Sequence, residues 1–170
     1  KANPVLIKVL EDVNQEPMVR HEAAEALGAI ASPENLKILE QFKNDPVVEV
    51  AETCQLAIER IKWLQDPDTN KNLSENPYHS IDPAPPCPLQ DVELLKAMLI
   101  NEKETLFNRY RAMFSLRNLR TMEAVRALGE GLKYGSALFK HEVAFVLGQL
   151  QDENAVEFLK ASLDDCNENE

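Results

Sequence analysis

The sequence contains few of the residues from which most metal, nucleotide and disulfide sites are built. Its 170 residues include three cysteines, with no C-x-x-C pair among them, and three histidines. This usage favours reduced thiols over a disulfide framework or a zinc knuckle. The sequence also lacks a glycine-rich phosphate loop, a His-Glu-x-x-His zinc motif and a Gly-x-Ser-x-Gly motif. Nucleotide binding and ordinary hydrolysis therefore have no support.

Long apolar stretches are absent as well. No run approaches the roughly 20 consecutive apolar residues that a membrane-spanning helix requires, and the first residues lack the features of a signal peptide. With 44% apolar and 28% charged residues, the composition is that of a soluble globular protein. The length suits about one packed core. We therefore expect a cytoplasmic protein with no membrane contact.

The charge balance narrows the choice of partner. Eighteen basic residues stand against 29 acidic ones, which gives a net charge of −11 at pH 7. Such a surface repels the phosphates of nucleic acids and of anionic membranes. A cationic substrate or partner is favoured, and nucleic acid is not expected as a ligand.

Four copies of one short pattern run along the chain. The template is RHEAAEALGAI at 20–30, and related stretches begin near residues 49, 109 and 140. A shorter segment with apolar residues at i, i+3 and i+4 precedes each copy, which is typical of an amphipathic helix. A helix, a turn and a second helix, repeated about every 30 residues, predict an all-α fold of HEAT-like helix pairs, an α-solenoid.

The doubled spacing between the second and third copies coincides with a proline-rich stretch. Residues 64–90 hold six of the ten prolines and are predicted to form a semi-rigid linker. The halves on either side, 1–63 and 91–170, each contain two helix pairs, and the second half ends in an orphan first helix. We expect the chain to be an internal piece of a longer repeat protein, with stacking surfaces exposed at both ends.

Two of the four copies carry His-Glu at the same point, His21-Glu22 and His141-Glu142. Neighbouring helical side chains point about 100° apart, so one pair can offer a nitrogen and an oxygen ligand but hardly a complete metal shell. Mixed nitrogen and oxygen donors without cysteine suit iron or manganese better than structural zinc. The alternative is that the histidines pack or cap while the glutamates are solvated charges near helix starts.

Four other residues have structural interpretations. Gly28 and Gly148 occupy matched positions within second helices, where they indicate close packing against a neighbouring helix. Trp63 precedes the linker and is expected to seal the core. His79 lies in the linker without an acidic companion at a useful spacing, so we interpret it as structural or exposed.

Several stretches together resemble deoxyhypusine hydroxylase over nearly the whole chain. They are residues 16–30, 51–58, 80–86, 109–114 and 135–142. That family has two HEAT-like halves joined by a linker, with four His-Glu motifs around a di-iron centre. The resemblance implies a monooxygenase that uses dioxygen to hydroxylate the deoxyhypusine side chain of a translation factor precursor, giving hypusine.

The same resemblance implies a role for each motif residue. His21 and Glu22 would ligate one iron and His141 the other, with Glu142 near the substrate amine or behind the metal ligands. The complete enzyme would hold two Fe(II) ions. Only the motifs equivalent to the family's second and third are present in this sequence. Each iron would lack part of its shell, and we expect the fragment alone to be inactive.

Two competing interpretations remain open at this stage. The chain could be a non-catalytic HEAT-like scaffold whose acidic surface binds a basic protein partner. Alternatively, two copies could associate and so bring four motifs together. Iron binding at the motif positions separates the scaffold from the enzyme.

Overall fold

The computed structural model of the protein describes residues 2–68, 73 and 75–165. Throughout these residues the regular structure is helical and no strand occurs, which confirms the all-α prediction. Contacts divide the chain into two compact units. Unit 1 comprises Lys1–Asn72 and Ser80–Ala84, and unit 2 comprises Leu73–His79 and Pro85–Glu170. No helix in the described part is long and apolar enough to cross a membrane.

Unit 1 is built from two helix pairs. Its helices are α1 (Asn3–Glu11), α2 (Pro17–Ile30), α3 (Leu36–Phe42) and α4 (Val48–Gln65), with a short 3-10 turn at Pro33–Asn35 before α3. Helix α1 packs on α2, α3 packs on α4, and the two second helices α2 and α4 lie against each other. The apolar stripe of each helix is thereby covered by its neighbours, as stacked HEAT-like units require.

Prolines mark helix starts in this unit. Pro4 and Pro17 lie in the first turns of α1 and α2, and Pro33 begins the 3-10 turn. Proline suits these places because its fixed φ is already helical and the missing N–H would have had no partner within the helix. The core between the helices is formed by Leu10, Ala23, Ala24, Leu27, Ile38, Leu39, Val50, Cys54, Ala57, Ile58 and Ile61.

Arg20 fixes the start of α2 immediately before the first motif. It is 3% exposed, its Nε donates to the carbonyl of Leu10 at 3.0 Å, and its Nη2 lies 2.6 Å from Asp45 Oδ2. The guanidinium also lies over the Phe42 ring, 5.6 Å from its centroid. One buried cation thus ties α1, α2 and the turn before α4 together, so the residue that follows it, His21, has a defined position.

In its described residues, unit 2 contains two further helix pairs and one more helix. They are α5 (Val92–Ile100), α6 (Leu106–Leu119), α7 (Met122–Gly131), α8 (Ala137–Leu150) and α9 (Val156–Leu163). Side-chain oxygens cap the first four of these helices through Asp91, Thr105, Thr121 and Ser136. Such caps accept N–H groups that have no partner inside the helix. Helix α9 packs on α7.

The repeat register is visible in the backbone. Helices α2, α6 and α8 each end in a left-handed residue, namely Ala31 (φ 56°), Arg120 (φ 55°) and Gln151 (φ 51°). Arg120 and Gln151 lie 89 and 120 residues after Ala31. The same shifts align the third and fourth sequence copies with the first. Helix α4 differs because it continues to Gln65. The second sequence copy, which begins near residue 49, therefore lies in a longer helix than the other three copies.

The two matched glycines have different surroundings. A Cβ at Gly28 would lie 2.7 Å from Ala57 Cβ, so α2 and α4 approach closely there and the prediction for Gly28 is confirmed. The prediction for Gly148 is wrong, because nothing described lies within 4 Å of its Cβ position. Trp63 is half-buried, and its role in sealing the core stays a prediction.

Side chains from the helices hold the end of the proline-rich stretch. In unit 1, Arg60 donates to the carbonyls of Asp82 (3.1 Å) and Gly28 (2.7 Å). In unit 2, Arg111 donates to the carbonyl of Pro85 at 3.1 Å. These stretches are fixed by hydrogen bonds within their own units. That the halves 1–63 and 91–170 act as separate domains stays a prediction.

Candidate metal centre

The two motif histidines occupy the same place in their helices but differ in exposure. His21 is the fifth residue of α2 and His141 is the fifth residue of α8. His21 is 5% exposed because α4 lies against α2, whereas His141 is exposed. In the described part of the chain, α8 is followed by α9, the first helix of a pair, and no second helix of that pair follows it. His141 therefore lacks the cover that α4 gives to His21.

A hydroxyl group on α4 lies within hydrogen-bonding distance of one ring nitrogen of His21. Thr53 Oγ1 lies 2.6 Å from His21 Nδ1 and 2.7 Å from the backbone carbonyl oxygen of Glu49. A carbonyl oxygen can only accept, so the single hydroxyl proton of Thr53 goes to Glu49. The hydroxyl oxygen must then accept from His21, which places a proton on Nδ1. In the neutral ring, Nε2 carries the lone pair that a metal ion would use.

One carboxylate, that of Glu25, lies on the Nε2 side of His21. Oε2 of Glu25, one helical turn further along, lies 3.7 Å from His21 Nε2. Burial raises the pKa of the Glu25 carboxyl above its usual value, and the negative charge of Glu22 raises it further. Glu22 itself is exposed. A cation bound beside these two carboxylates would relieve their repulsion, because its charge stabilises both ionised forms.

The second motif has a different composition one turn beyond its histidine. Ser136 accepts the Phe139 N–H at 3.1 Å and so caps α8 immediately before the motif. Glu142 is half-buried. The position that matches Glu25 is taken by Phe145, which is 54% exposed. The two motifs thus share His-Glu but only the first has an additional carboxylate.

The donor atoms at each motif suit part of an iron shell. No group of three or more His, Cys, Asp or Glu side chains arranged to hold a metal ion occurs among residues 2–68, 73 and 75–165. His21 nevertheless has the arrangement of a metal-binding imidazole, since its Nδ1–H is held by an oxygen acceptor on a neighbouring element. Imidazole nitrogen and carboxylate oxygen together suit iron(II). That the motifs of the two units form one centre stays a prediction.

Two residues of this site were missed by sequence reasoning. Glu25 could have been found, because it lies four residues after His21 and therefore on the same helix face. Thr53 lies 32 residues after His21 in the sequence, and nothing in the pattern marks a threonine in the middle of α4 as a partner of the ring. His79, in contrast, is exposed, as one of the two predicted alternatives stated.

Comparison with known proteins gives both repeat and full-chain matches. Residues 1–59 match the HEAT repeats family, and residues 109–134 and 139–165 match the PBS lyase HEAT-like repeat family. Deoxyhypusine hydroxylase of Drosophila melanogaster is 58% identical over 171 aligned residues, covering 100% of this chain and 56% of the relative. The human protein of the same name is 57% identical, covering 99% of this chain and 55% of the relative.

A solved structure matches as well. The structure of human deoxyhypusine hydroxylase in complex with glycerol has a TM-score of 0.91 and 58% identity. The match covers 99% of this chain and 58% of that one.

Helix pairs, repeat register and family matches together define a HEAT-repeat protein. Within that class, proteins named deoxyhypusine hydroxylase share 55–58% identity with this chain across nearly its whole length. The chain spans about 56% of the length of the curated relatives it matches. The family resemblance seen in the sequence is therefore confirmed.

Proposed function

We propose that this chain is a segment of an iron-dependent monooxygenase that hydroxylates the deoxyhypusine side chain of a translation factor precursor to hypusine. The observation that carries the proposal is the buried His21, whose Nδ1 lies 2.6 Å from Thr53 Oγ1 and whose Nε2 lies 3.7 Å from Glu25 Oε2. Identity to proteins named deoxyhypusine hydroxylase over the full chain supports the substrate. A cytoplasmic location goes with a translation factor as partner.

In this proposal each motif residue has one role. His21 and Glu22 ligate one of two Fe(II) ions, His141 ligates the other, and Glu142 lies near the substrate amine or behind the metal ligands. When bound, the iron pair supplies the activation of dioxygen that C–H hydroxylation requires. The set of imidazole and carboxylate donors at the two motifs supports iron over a thiophilic metal.

The protein's own side chains would bind and orient the substrate. Deoxyhypusine is a long side chain with protonated amines, and a protein with a net charge of −11 attracts such a cation. Glu22, Glu25 and Glu142 are the carboxylates nearest to the motif histidines in sequence. Burial of His21 beside α4 excludes water from one side of the first motif, which strengthens charge interactions there.

We further propose that the isolated chain is inactive. It carries two His-Glu motifs, and each supplies too few ligands for an iron ion by itself. Association of two copies would bring four motifs together and offers one route to a complete site. A monomeric mass at high concentration in the presence of iron(II), measured by light scattering, would contradict that route.

Iron content tests the proposal directly. The chain and the full-length gene product would be loaded anaerobically with Fe(II), desalted and analysed by plasma mass spectrometry, alongside His21→Ala and His141→Ala. His79→Ala is the matched control, because His79 is an exposed histidine outside both motifs. We expect the full-length protein to lose iron with either motif substitution and to keep it with the control.

The opposite result would favour the scaffold. A full-length protein that binds no iron, or that loses none with either motif substitution, would contradict the monooxygenase. The acidic surface would then be the main functional feature, and binding of a basic protein partner would become the better explanation of the net charge.

A further inference from the structure

We propose that Thr53 is a positioning residue that sets the proton on His21 Nδ1 and so directs Nε2 toward the metal. This inference rests on the proposed function for its metal-binding consequence, but the protonation of the ring is a property of the folded chain itself. It adds a residue from α4 to a site whose sequence motif lies entirely on α2.

The first support is the geometry of the hydroxyl group. Thr53 has one hydroxyl proton and two close polar neighbours, Glu49 O at 2.7 Å and His21 Nδ1 at 2.6 Å. The carbonyl can use only the proton, so the ring nitrogen must be the donor. If Thr53 instead donated its proton to His21, lone pairs of Thr53 Oγ1 and Glu49 O would face each other at 2.7 Å. The backbone of α4 thus fixes the direction of the hydrogen bond.

The second support is burial. Thr53 is 3% exposed and His21 is 5% exposed, so water competes little for either group. A buried imidazole N–H needs an acceptor, and losing it leaves the donor unsatisfied. The hydroxyl therefore stabilises one tautomer of His21 over the other.

A competing influence lies on the other side of the ring. The Glu25 carboxylate, 3.7 Å from Nε2, would favour a proton on Nε2 if no other group intervened. That distance exceeds the range of a hydrogen bond, whereas the contact to Thr53 is well within it. The short contact should decide the tautomer, and the carboxylate then faces a nitrogen lone pair. This is an arrangement that a cation between them would complete.

The position of Thr53 also accounts for a difference between the motifs. The hydroxyl comes from α4, the second helix of the next pair, which packs beside α2. His141 is exposed, and in the described residues α8 has no second helix following it. The tautomer of His141 therefore has no corresponding constraint from the described chain.

Nuclear magnetic resonance can read the tautomer without any metal. Long-range 15N–1H correlation spectra of the ring nitrogens would be recorded on the 15N-labelled chain at a pH where His21 is neutral, with exposed His79 as an internal reference. We expect His21 to be an Nδ1–H tautomer in the wild type. The Thr53→Val variant should lose this preference, and Thr53→Ser should retain it.

Two controls separate positioning from folding. Ser115→Ala removes a buried hydroxyl from α6 that makes the same kind of bond, to Arg111 O at 2.8 Å, and it should leave His21 unchanged. Glu25→Gln should also leave the proton on Nδ1. Circular dichroism would confirm that each variant is folded. An Nε2–H tautomer in the wild type, or an unchanged Nδ1–H tautomer in Thr53→Val, would overturn the proposal.

The metal consequence is tested with Co²⁺ as a paramagnetic probe on the full-length gene product, because each motif of this chain supplies only part of a metal shell. Added Co²⁺ should broaden the His21 ring signals, and Thr53→Val should need a roughly 10- to 100-fold higher concentration for the same broadening, as for other partners of metal-binding histidines. The metal-directing role would be overturned if wild type and Thr53→Val needed the same Co²⁺ concentration for the same broadening. It would also be overturned if Co²⁺ had no effect on His21 in the wild type. The tautomer result would then show separately whether Thr53 orients the ring, so failure of the iron proposal can be distinguished.

Discussion

The close approach of α2 and α4 at Gly28 offers a sharp test of the packing. A Cβ added at Gly28 would lie 2.7 Å from Ala57 Cβ and 3.0 Å from Ala57 Cα, so neither neighbour can move aside by changing rotamer. Normal carbon contacts are about 3.5–4.0 Å. Gly28→Ala should therefore force α2 and α4 apart by about 1 Å.

Gly148 provides a control at the same register, because nothing described lies within 4 Å of its Cβ position. Replacing glycine by alanine inside a helix favours folding by up to about 1 kcal/mol at both sites. Overpacking costs about 1–3 kcal/mol, and only at Gly28. The helix-propensity contribution cancels between the variants, so Gly28→Ala should be about 1–3 kcal/mol less stable than Gly148→Ala.

Urea unfolding followed by circular dichroism would measure this difference, with a thermal scan as a second assay. Each kcal/mol corresponds to about 2–4 °C in Tm for a chain of this size. The double variant Gly28→Ala with Ala57→Gly should recover part of the loss, because the two positions are in direct contact. Equal stability of Gly28→Ala and Gly148→Ala would refute the close approach of α2 and α4.

Other predictions concern buried charge and thiol chemistry in unit 1. Burial raises the pKa of Asp45, but the Arg20 hydrogen bonds, the Val47 N–H and the Arg20 charge outweigh it, so the folded pKa lies below the usual value. Asp45→Asn should lower the free energy of unfolding by on the order of 2 kcal/mol at pH 7. This difference from wild type should shrink as the pH falls below about 4 and vanish below the folded pKa of Asp45, because the carboxyl is then protonated in the folded and the unfolded state. Urea unfolding across pH 2–7 checks this, with Glu40→Gln in an exposed ion pair as a control that should change stability much less; a pH-independent cost would contradict it. Burial raises the pKa of the Cys54 thiol to about 12, so roughly one molecule in ten thousand is ionised there at pH 8. We expect a disulfide reagent to modify Cys54 only after unfolding, as followed by mass spectrometry of the labelled peptides, and rapid labelling of folded protein would disprove it.

Periodicity allowed the helix pairs to be predicted because apolar residues at helical spacing require a covering partner. The shifts of 89 and 120 residues reappear as left-handed ends at Ala31, Arg120 and Gln151. The same pattern was misleading for Gly148, because a matched residue needs a matched neighbour, and the neighbour of Gly28 comes from the following helix pair. A repeat in sequence therefore does not guarantee a repeat in surroundings.

Site chemistry was only partly accessible from the sequence. The motif at His21 was visible because its glutamate is adjacent, but its hydrogen-bond acceptor Thr53 lies on another helix. Contacts that depend on helix crossing leave no short-range pattern. The metal-ligand roles of His21, Glu22 and His141 remain predictions, as does the role of Glu142.

The hydrogen bonds from Arg60 and Arg111 to the proline-rich stretch limit how the length of that stretch can change. The stretch Leu73–His79 is grouped with unit 2, Ser80–Ala84 with unit 1, and the chain from Pro85 onward with unit 2 again. Inserting or deleting a residue within 80–88 would shift the carbonyls of Asp82 and Pro85 away from Arg60 and Arg111, leaving two half-buried guanidinium groups short of acceptors. Although surface connections usually tolerate length changes, evolution should have little freedom here, and engineered splitting of the protein would best keep 80–84 together with the first unit.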